Sequence, residues 1–369
     1  MPVAKEIKED KIDTKDAEDI ASSGMDFSEK TRSASFLQQD NSIMFSRSLA
    51  DGIDIMGTEE AFKSFPEIKR YYGKSFRLLD RGYPKDTKGG YFIRVKKGKT
   101  VEMPIQACLF LKKHGFKQRV HNIIIVEEGA RVYLITGCAA SESAVEAFHL
   151  GISEFFVKKG GYLNFTMVHS WKEDISVRPI STALVEEGAS FVSNYICLRP
   201  VKEVVMYPTA VLLGEGARSS FNSLILSHPN TLQDVGARAI FRAENTQAEI
   251  NARSVSLGGK VIARGHLKAE KNNVKAHLEC RGLVLSEKGM IHAIPELQTD
   301  LRDVDMSHEA AIGKISKEEV EYLCSRGFHK NEAQSIIVRG FMDINILALP
   351  ELLKGEIKEL ENKSLKGSL

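Results

Sequence analysis

Between residues 90 and 305 short runs rich in Val, Ile, Phe and Tyr alternate with a few small or charged residues and a glycine. Four segments follow the same order: IIIVEEGARVYLI (residues 123–135), FFVKKGGYLNFTM (155–167), ALVEEGASFVSNY (183–195) and AVLLGEGARSSFN (210–222). In each, an apolar strand enters a polar turn and an alternating strand leaves it, the period of two that sends successive side chains to opposite faces. The marker glycines Gly129, Gly160, Gly188 and Gly216 stand 31, 28 and 28 residues apart, and a weaker copy, DVGARAIFRAEN, carries Gly236. Strands recurring at a fixed period predict a solenoid, in which each unit buries its apolar face only by stacking on the next. The expected architecture is a mainly β protein built on a β-helix. A β-sandwich competes, but its turns do not recur so regularly.

The flanks read differently. Residues 1–89 are rich in Lys, Asp, Glu and Ser with scattered apolar positions such as Phe62, Phe65, Ile68 and Tyr72, which predicts loosely packed helices behind a charged, mobile tail. Residues 306–369 are expected to be helical: Ser316 precedes Glu319 by three positions, a capping box, Gly327 suits a helix C-terminus, and Pro350 marks a further boundary. This helical region is also a candidate cover for the open end of the sheets.

Composition narrows the function classes. With 43% hydrophobic and 27% charged residues the chain is ordinary for a soluble globular protein, and a net charge of +2 argues against nucleic acid as a partner. The moderately basic stretch from Lys69 to Lys99 is broken by acids and glycines and reads as a solvated surface. No apolar run is long enough to span a membrane and the charged N-terminus has no signal core, so a cytoplasmic location is expected. Glycine-rich phosphate loops, nucleophile elbows and the paired histidines of zinc proteases are absent, so the chain is not expected to hydrolyse ATP itself. A polysaccharide-cleaving solenoid enzyme remains an alternative, but Glu127, Glu128, Glu186, Glu187 and Glu215 sit beside turn glycines, where solvation explains them.

The five cysteines, Cys108, Cys138, Cys197, Cys280 and Cys324, show no paired spacing, so any metal centre must gather ligands from afar or from two chains. Cys108 and Cys197 lie in apolar runs and read as core, and His169 as structural. Cys280 sits in the alternating stretch HLECRGLVLS, where Leu278, Cys280 and Val284 share one face and His277, Glu279 and Arg281 the other. Ligand-type residues gather in two places, Cys280 with His277 nearby, and His308 with Glu309 at the junction between the solenoid and the helical region. Thiolate and imidazole suit iron–sulfur clusters, and a harder carboxylate would make such a site exchangeable.

The segment MSHEAAIGKISKEEVEYLCSRGFHKNEAQSIIVRGF (306–341) resembles the C-terminal signature of the SufB/SufD family of iron–sulfur cluster assembly proteins. The likeness extends through QRVHNIIIVEEGARVYLITGC (118–138) and HLECRGLVLSEKG (277–289), covering residues 90 to 350. It implies a right-handed parallel β-helix, flanking helices that dock onto SufC, an ABC-type ATPase, and pairing of two subunits through their β-helices. It further implies a non-enzymatic scaffold that holds a transient iron–sulfur cluster, taken as 4Fe–4S, at the subunit junction and passes it to recipient apoproteins. A transient flavin is left open, with no motif for it here. By this resemblance Cys280 matches the cluster cysteine of SufB, where SufD carries histidine, and Glu309 matches the acid of the H-E-A motif. His308 ranks below Glu309 because adjacent residues in an extended segment point apart.

One position departs from the family. Where SufB has an interior sulfur-accepting cysteine, this chain has Val185, which cannot carry a persulfide. Either sulfur enters by another route, through Cys138 or as free sulfide, or the chain serves a reduced system with a single SufB-like subunit and its ATPase. The leading assembly is a SufB-like homodimer with two SufC subunits. A SufD-like structural partner without its own cluster is the alternative.

Overall fold

A computed structural model describes residues 12–25 and 29–342, together with Lys358. The helix expected beyond residue 342, with its boundary at Pro350, lies outside the described residues. The chain is mainly β and forms a parallel β-solenoid of about eight turns. Each turn contributes to a 10-stranded sheet, here sheet A, and an 11-stranded sheet, here sheet B. Sheet A ends with Arg218–Ser227, Gln247–Ser256, Val274–Val284 and Val304–Gly313, and sheet B with Leu232–Phe241, Lys260–Ala269 and Met290–Gln298. Alternation turns one face of every strand into a shared lumen, filled by Val132, Leu163, Phe191, Phe221, Ile250 and Leu278.

The tight turn between a sheet B strand and the next sheet A strand needs one left-handed residue. Gly129, Gly160, Gly188 and Gly216 occupy it with φ of 62 to 70°. In the following coils Asn245 and Asn273 take over at φ 56° and 55°, so the expected marker Gly236 is not a turn residue. It lies inside Leu232–Phe241, where a Cβ would stand 2.5 Å from Arg264 Cβ and 2.8 Å from Tyr207 Cδ2. Asparagine tolerates the left-handed region, which is why the glycine signal fades while the coil continues. Stacked turns are joined by Gly129 N–H to Lys159 O and Gly160 N–H to Glu187 O, both backbone bonds. The turn acids meet lysines of neighbouring coils, Lys97 with Glu128 and Lys159 with Glu187, each at 2.8 Å.

The two ends of the solenoid differ. At the N-terminal end Ala34–Gln39 pairs antiparallel with Ser42–Ser48 and parallel with Ile105–Leu111, and Ile53–Gly57 pairs antiparallel with Tyr91–Val95. The segment before residue 90 therefore supplies strands as well as the expected helices; the alternation in ASFLQQ and IDIMG is short enough to be lost among charged residues. At the C-terminal end Met290–Gln298 and Val304–Gly313 have no strand beyond them among the described residues. The H-E-A motif thus belongs to the last strand of the solenoid rather than to the helices.

Helices cover the outer faces. Residues from Thr58–Ser64 through Lys74–Leu78 lay Ala61, Ile68 and Tyr71 on Ile123, Ile125 and Phe156 of sheet B. A buried latch fixes this segment: Glu154 accepts hydrogen bonds from Ser75 N (2.8 Å), Ser75 Oγ (2.7 Å), His121 Nε2 (2.8 Å) and Gly73 N. The pair Lys317–Ser325 and Lys330–Phe341 does not cap the open end as expected. Val338 and Met342 bury themselves instead against Ile196, Leu224 and Val255, an apolar stripe on the outer face of sheet A. Ser316 caps the first of these helices by accepting from Glu319 N, and Gly327 follows it at φ 96°.

Candidate functional site

Cys280 lies on Val274–Val284, the last strand of sheet A with a neighbour on either side. Strand alternation turns Leu278 and Cys280 into the lumen, and the thiol is 3% exposed. In the parallel register its neighbours are Ala252 on one side and Ala310 on the other, with Ser223 and Tyr195 further along the same row. Small side chains in that row leave room. A cavity of about 30 Å³ lies between Tyr195, Ser223, Ile250 and Ala252. Burial, and then the charge of Glu279, pushes the Cys280 thiol up to about 11, so it is protonated at neutral pH.

The last coil places the other candidates in an order that residue counting alone does not give. Cys280 pairs with Ala310, thirty positions on, and Glu309 pairs with Glu279. Glu309 therefore faces outward with Glu279 and Arg281, while His308, in register with Leu278, falls on the lumen side with Cys280 at the open end. Glu279 is held by Arg281 at 2.5 Å, and His277 Nδ1 lies 2.9 Å from Ser307 Oγ on the same outer face. A polar row leads to these acids: Asn194 Nδ2 donates to Thr166 Oγ1 (3.1 Å), Asn222 Nδ2 to Asn194 Oδ1 (2.9 Å) and Asn251 Nδ2 to Asn222 Oδ1 (3.1 Å). Each amide donates away from the open end, so acceptor oxygens point toward Glu279. Among the described residues no three His, Cys, Asp or Glu side chains converge closely enough to hold a metal ion.

Cys138 is elsewhere in the lumen. It stands in register with His169, which stands in register with Cys197, three consecutive rungs of sheet A. All three are buried. Burial raises the Cys138 thiol well above its ordinary value and lowers the His169 imidazole well below its own, so both are neutral. His169 Nδ1 lies 3.1 Å from Tyr195 Oη, its Nε2 has no partner, and Gln233 Nε2 donates to Cys197 Sγ at 3.2 Å. Val185 is fully buried in the same core. The row of Cys138, His169 and Cys197 was missed from sequence, although its spacings of 31 and 28 residues are those of the marker glycines. Cys108 packs outside the lumen under the N-terminal helix, and Cys324 is exposed on Lys317–Ser325.

A family model described as "SUF system FeS cluster assembly, SufBD core domain" matches residues 110–341. An "Iron-sulfur cluster assembly SufBD family protein" of Archaeoglobus fulgidus is 47% identical over 93% of this chain and 93% of its own. A protein of the same description from Methanothermobacter thermautotrophicus is 41% identical over 93% of this chain and 86% of its own. The "Iron-sulfur cluster assembly protein SufB" of Bacillus subtilis is 32% identical over 87% and 70%. With the family match spanning most of the solenoid and continuing into the final helices, the chain belongs to the SufBD family of iron–sulfur cluster assembly proteins.

Proposed function

We propose that the chain is a SufB-like scaffold on which an iron–sulfur cluster, taken as 4Fe–4S, is assembled and from which it is passed to recipient apoproteins. The cluster is cargo. The observation that carries this reading is the position of Cys280: a thiol on the lumen face, one rung from the open end, with His308 on the same side and alanines above and below. A thiol and an imidazole are too few ligands for a metal centre, so a second chain completes the site.

The open end supports that pairing. A final strand with unpaired backbone groups is a template for another strand. Met290–Gln298 is blunted by Pro295, which has no N–H to offer, whereas Val304–Gly313 contains no proline. A homodimer joined along Val304–Gly313 would bring two Cys280 thiols and two His308 imidazoles to one junction. Energy comes from a SufC-type ABC ATPase docked on the C-terminal helices. Tyr322, Phe328 and Ile336 are exposed there, and an apolar groove lies between Tyr322, Leu323 and Ile337. Sulfur reaches the site without Val185, by way of Cys138 or as free sulfide.

The test is anaerobic reconstitution of the purified chain with ferrous iron and sulfide, with and without the ATPase, reading visible absorption and iron per chain for the parent and Cys280→Ala. The expected result is cluster absorption that is lost in the variant while the far-ultraviolet circular dichroism is unchanged. Equal absorption in both would remove Cys280 from the site and leave a SufD-like supporting role.

A further inference from the structure

On the outer face of sheet B, away from the lumen, two cations have been brought together without an ion-pair partner. Arg238 projects from Leu232–Phe241, and Arg81 comes from the loop after the helix Lys74–Leu78. Arg242, just after the strand that bears Arg238, donates through Nη1 to Leu78 O at 3.4 Å, which lays the loop bearing Arg81 on this face, and the charge of Arg238, after burial, lowers the proton affinity of Arg81. Both are partly buried, and neither forms an ion pair among the described residues. Arg238 Nε is buried with no hydrogen-bond partner. Their neighbours are matched: Arg264 holds Asp234 through two bonds of 2.6 and 2.9 Å, and Glu270 takes both Arg242 (3.1 Å) and Lys268 (2.9 Å).

A second unsatisfied donor adjoins Arg238. The ring of Tyr207 rests against Gly236, where only the missing Cβ gives it space, and the Arg238 guanidinium lies 6.0 Å from its centroid. Its hydroxyl is buried and has no partner. His266 stands in register beside Arg238, kept neutral by burial, and its side chain is already hydrogen-bonded to Gln298. Glu296, in register beyond His266, is the acid of this row; it forms no ion pair among the described residues, and its charge reaches Tyr207 and His266.

Like charges that are desolvated together repel, and buried donors without acceptors are unfavourable, so the arrangement is complete only when an anion is added. Two forked guanidiniums and a phenol offer more donors than a planar carboxylate can accept, and they match the several oxygens of a tetrahedral group. We propose that Arg81, Arg238 and Tyr207 form a binding site for a phosphate group. The anion would join the N-terminal segment, which supplies Arg81, to the solenoid, which supplies the other two. This site is independent of the reading of Cys280.

The experiment is calorimetric titration of the full, metal-free chain with inorganic phosphate, with acetate as the planar control and ADP as a phosphorylated ligand. Phosphate is expected to bind saturably and acetate not. Arg81→Gln and Arg238→Gln should each weaken phosphate by at least about tenfold, and Tyr207→Phe by several-fold. Without phosphate, Arg238→Gln should melt no lower than the parent, since removing one guanidinium relieves the repulsion; a purely structural arginine would lower it. Tighter binding of ADP than of phosphate would identify a phosphorylated molecule as the ligand, and equal binding free phosphate. The proposal is overturned by the absence of saturable phosphate binding, by equal binding of acetate, or by an affinity unchanged in all three variants.

Discussion

Cys280 and Glu309 stand on neighbouring strands but project from opposite faces: Cys280 pairs with Ala310 toward the lumen, and Glu309 pairs with Glu279 toward the outside. Within one chain the imidazole of His308, rather than the carboxylate of Glu309, is on the thiol's side. His308→Ala should therefore weaken iron retention by at least about tenfold, the loss expected when a group at or next to a metal is removed. Glu309→Gln should have a smaller effect. Iron per chain after reconstitution and desalting checks this, and a larger loss in Glu309→Gln would mean that the pairing chain brings its own Glu309 across to the thiol.

The raised thiol of Cys280 gives a pH dependence with a definite sign. Its affinity for protons is greater in the folded state, about 11 against an ordinary 9.0. Stabilisation from the buried neutral thiol is fully present below pH 9.0 and is lost as the pH rises toward about 11, because only the unfolded chain then releases the proton freely. Cys197, raised by burial to about 11, acts in the same direction. Urea midpoints should fall across this alkaline window, and less steeply in Cys280→Ala. At neutral pH iodoacetamide should label exposed Cys324 well before Cys280, read by peptide mass spectrometry.

The Glu154 latch predicts a local stability effect. Its carboxylate accepts from Ser75 N, Ser75 Oγ, Gly73 N and His121 Nε2, so every partner is a donor. Glu154→Gln replaces one acceptor with an NH2 that faces donors and leaves His121 without its acid. A cost of about 2 kcal/mol is expected, within the range for leaving a buried hydrogen-bonding group unsatisfied. It should appear as a lower urea midpoint together with faster proteolysis between residues 58 and 89.

How far the sequence carried these conclusions depends on the turn chemistry. The solenoid was legible because glycine marks the left-handed turn residue in four coils at nearly constant spacing. It became illegible where Asn245 and Asn273 take that role, and Gly236, which serves Tyr207 and Arg264 instead, was mistaken for a marker. The site's geometry was hidden for a different reason. Glu309 is 29 residues from Cys280, and only the register of the last coil, an offset of 30 after 28 in the coil before, shows that they face apart. Cys280 itself was legible through the family signature, whereas Arg81 and Arg238 meet across 157 positions that no local pattern connects.

The open end yields the last prediction. Ile312 is in register with Gly282 on the lumen side of Val304–Gly313 and is 41% exposed, an apolar side chain at an uncovered edge. A second chain pairing along this strand would bury it, and a lysine there would have to bury its charge or hold the strands apart. Ile312→Lys should leave the single chain folded, since the position lies beyond the packed core, but shift sedimentation equilibrium from dimer toward monomer. If cluster assembly needs both chains, the same variant should also lose cluster absorption although Cys280 is untouched. A monomeric Ile312→Lys that still retains its cluster would show that one chain's thiol and imidazole suffice with small-molecule ligands, and the junction would then serve stability rather than chemistry.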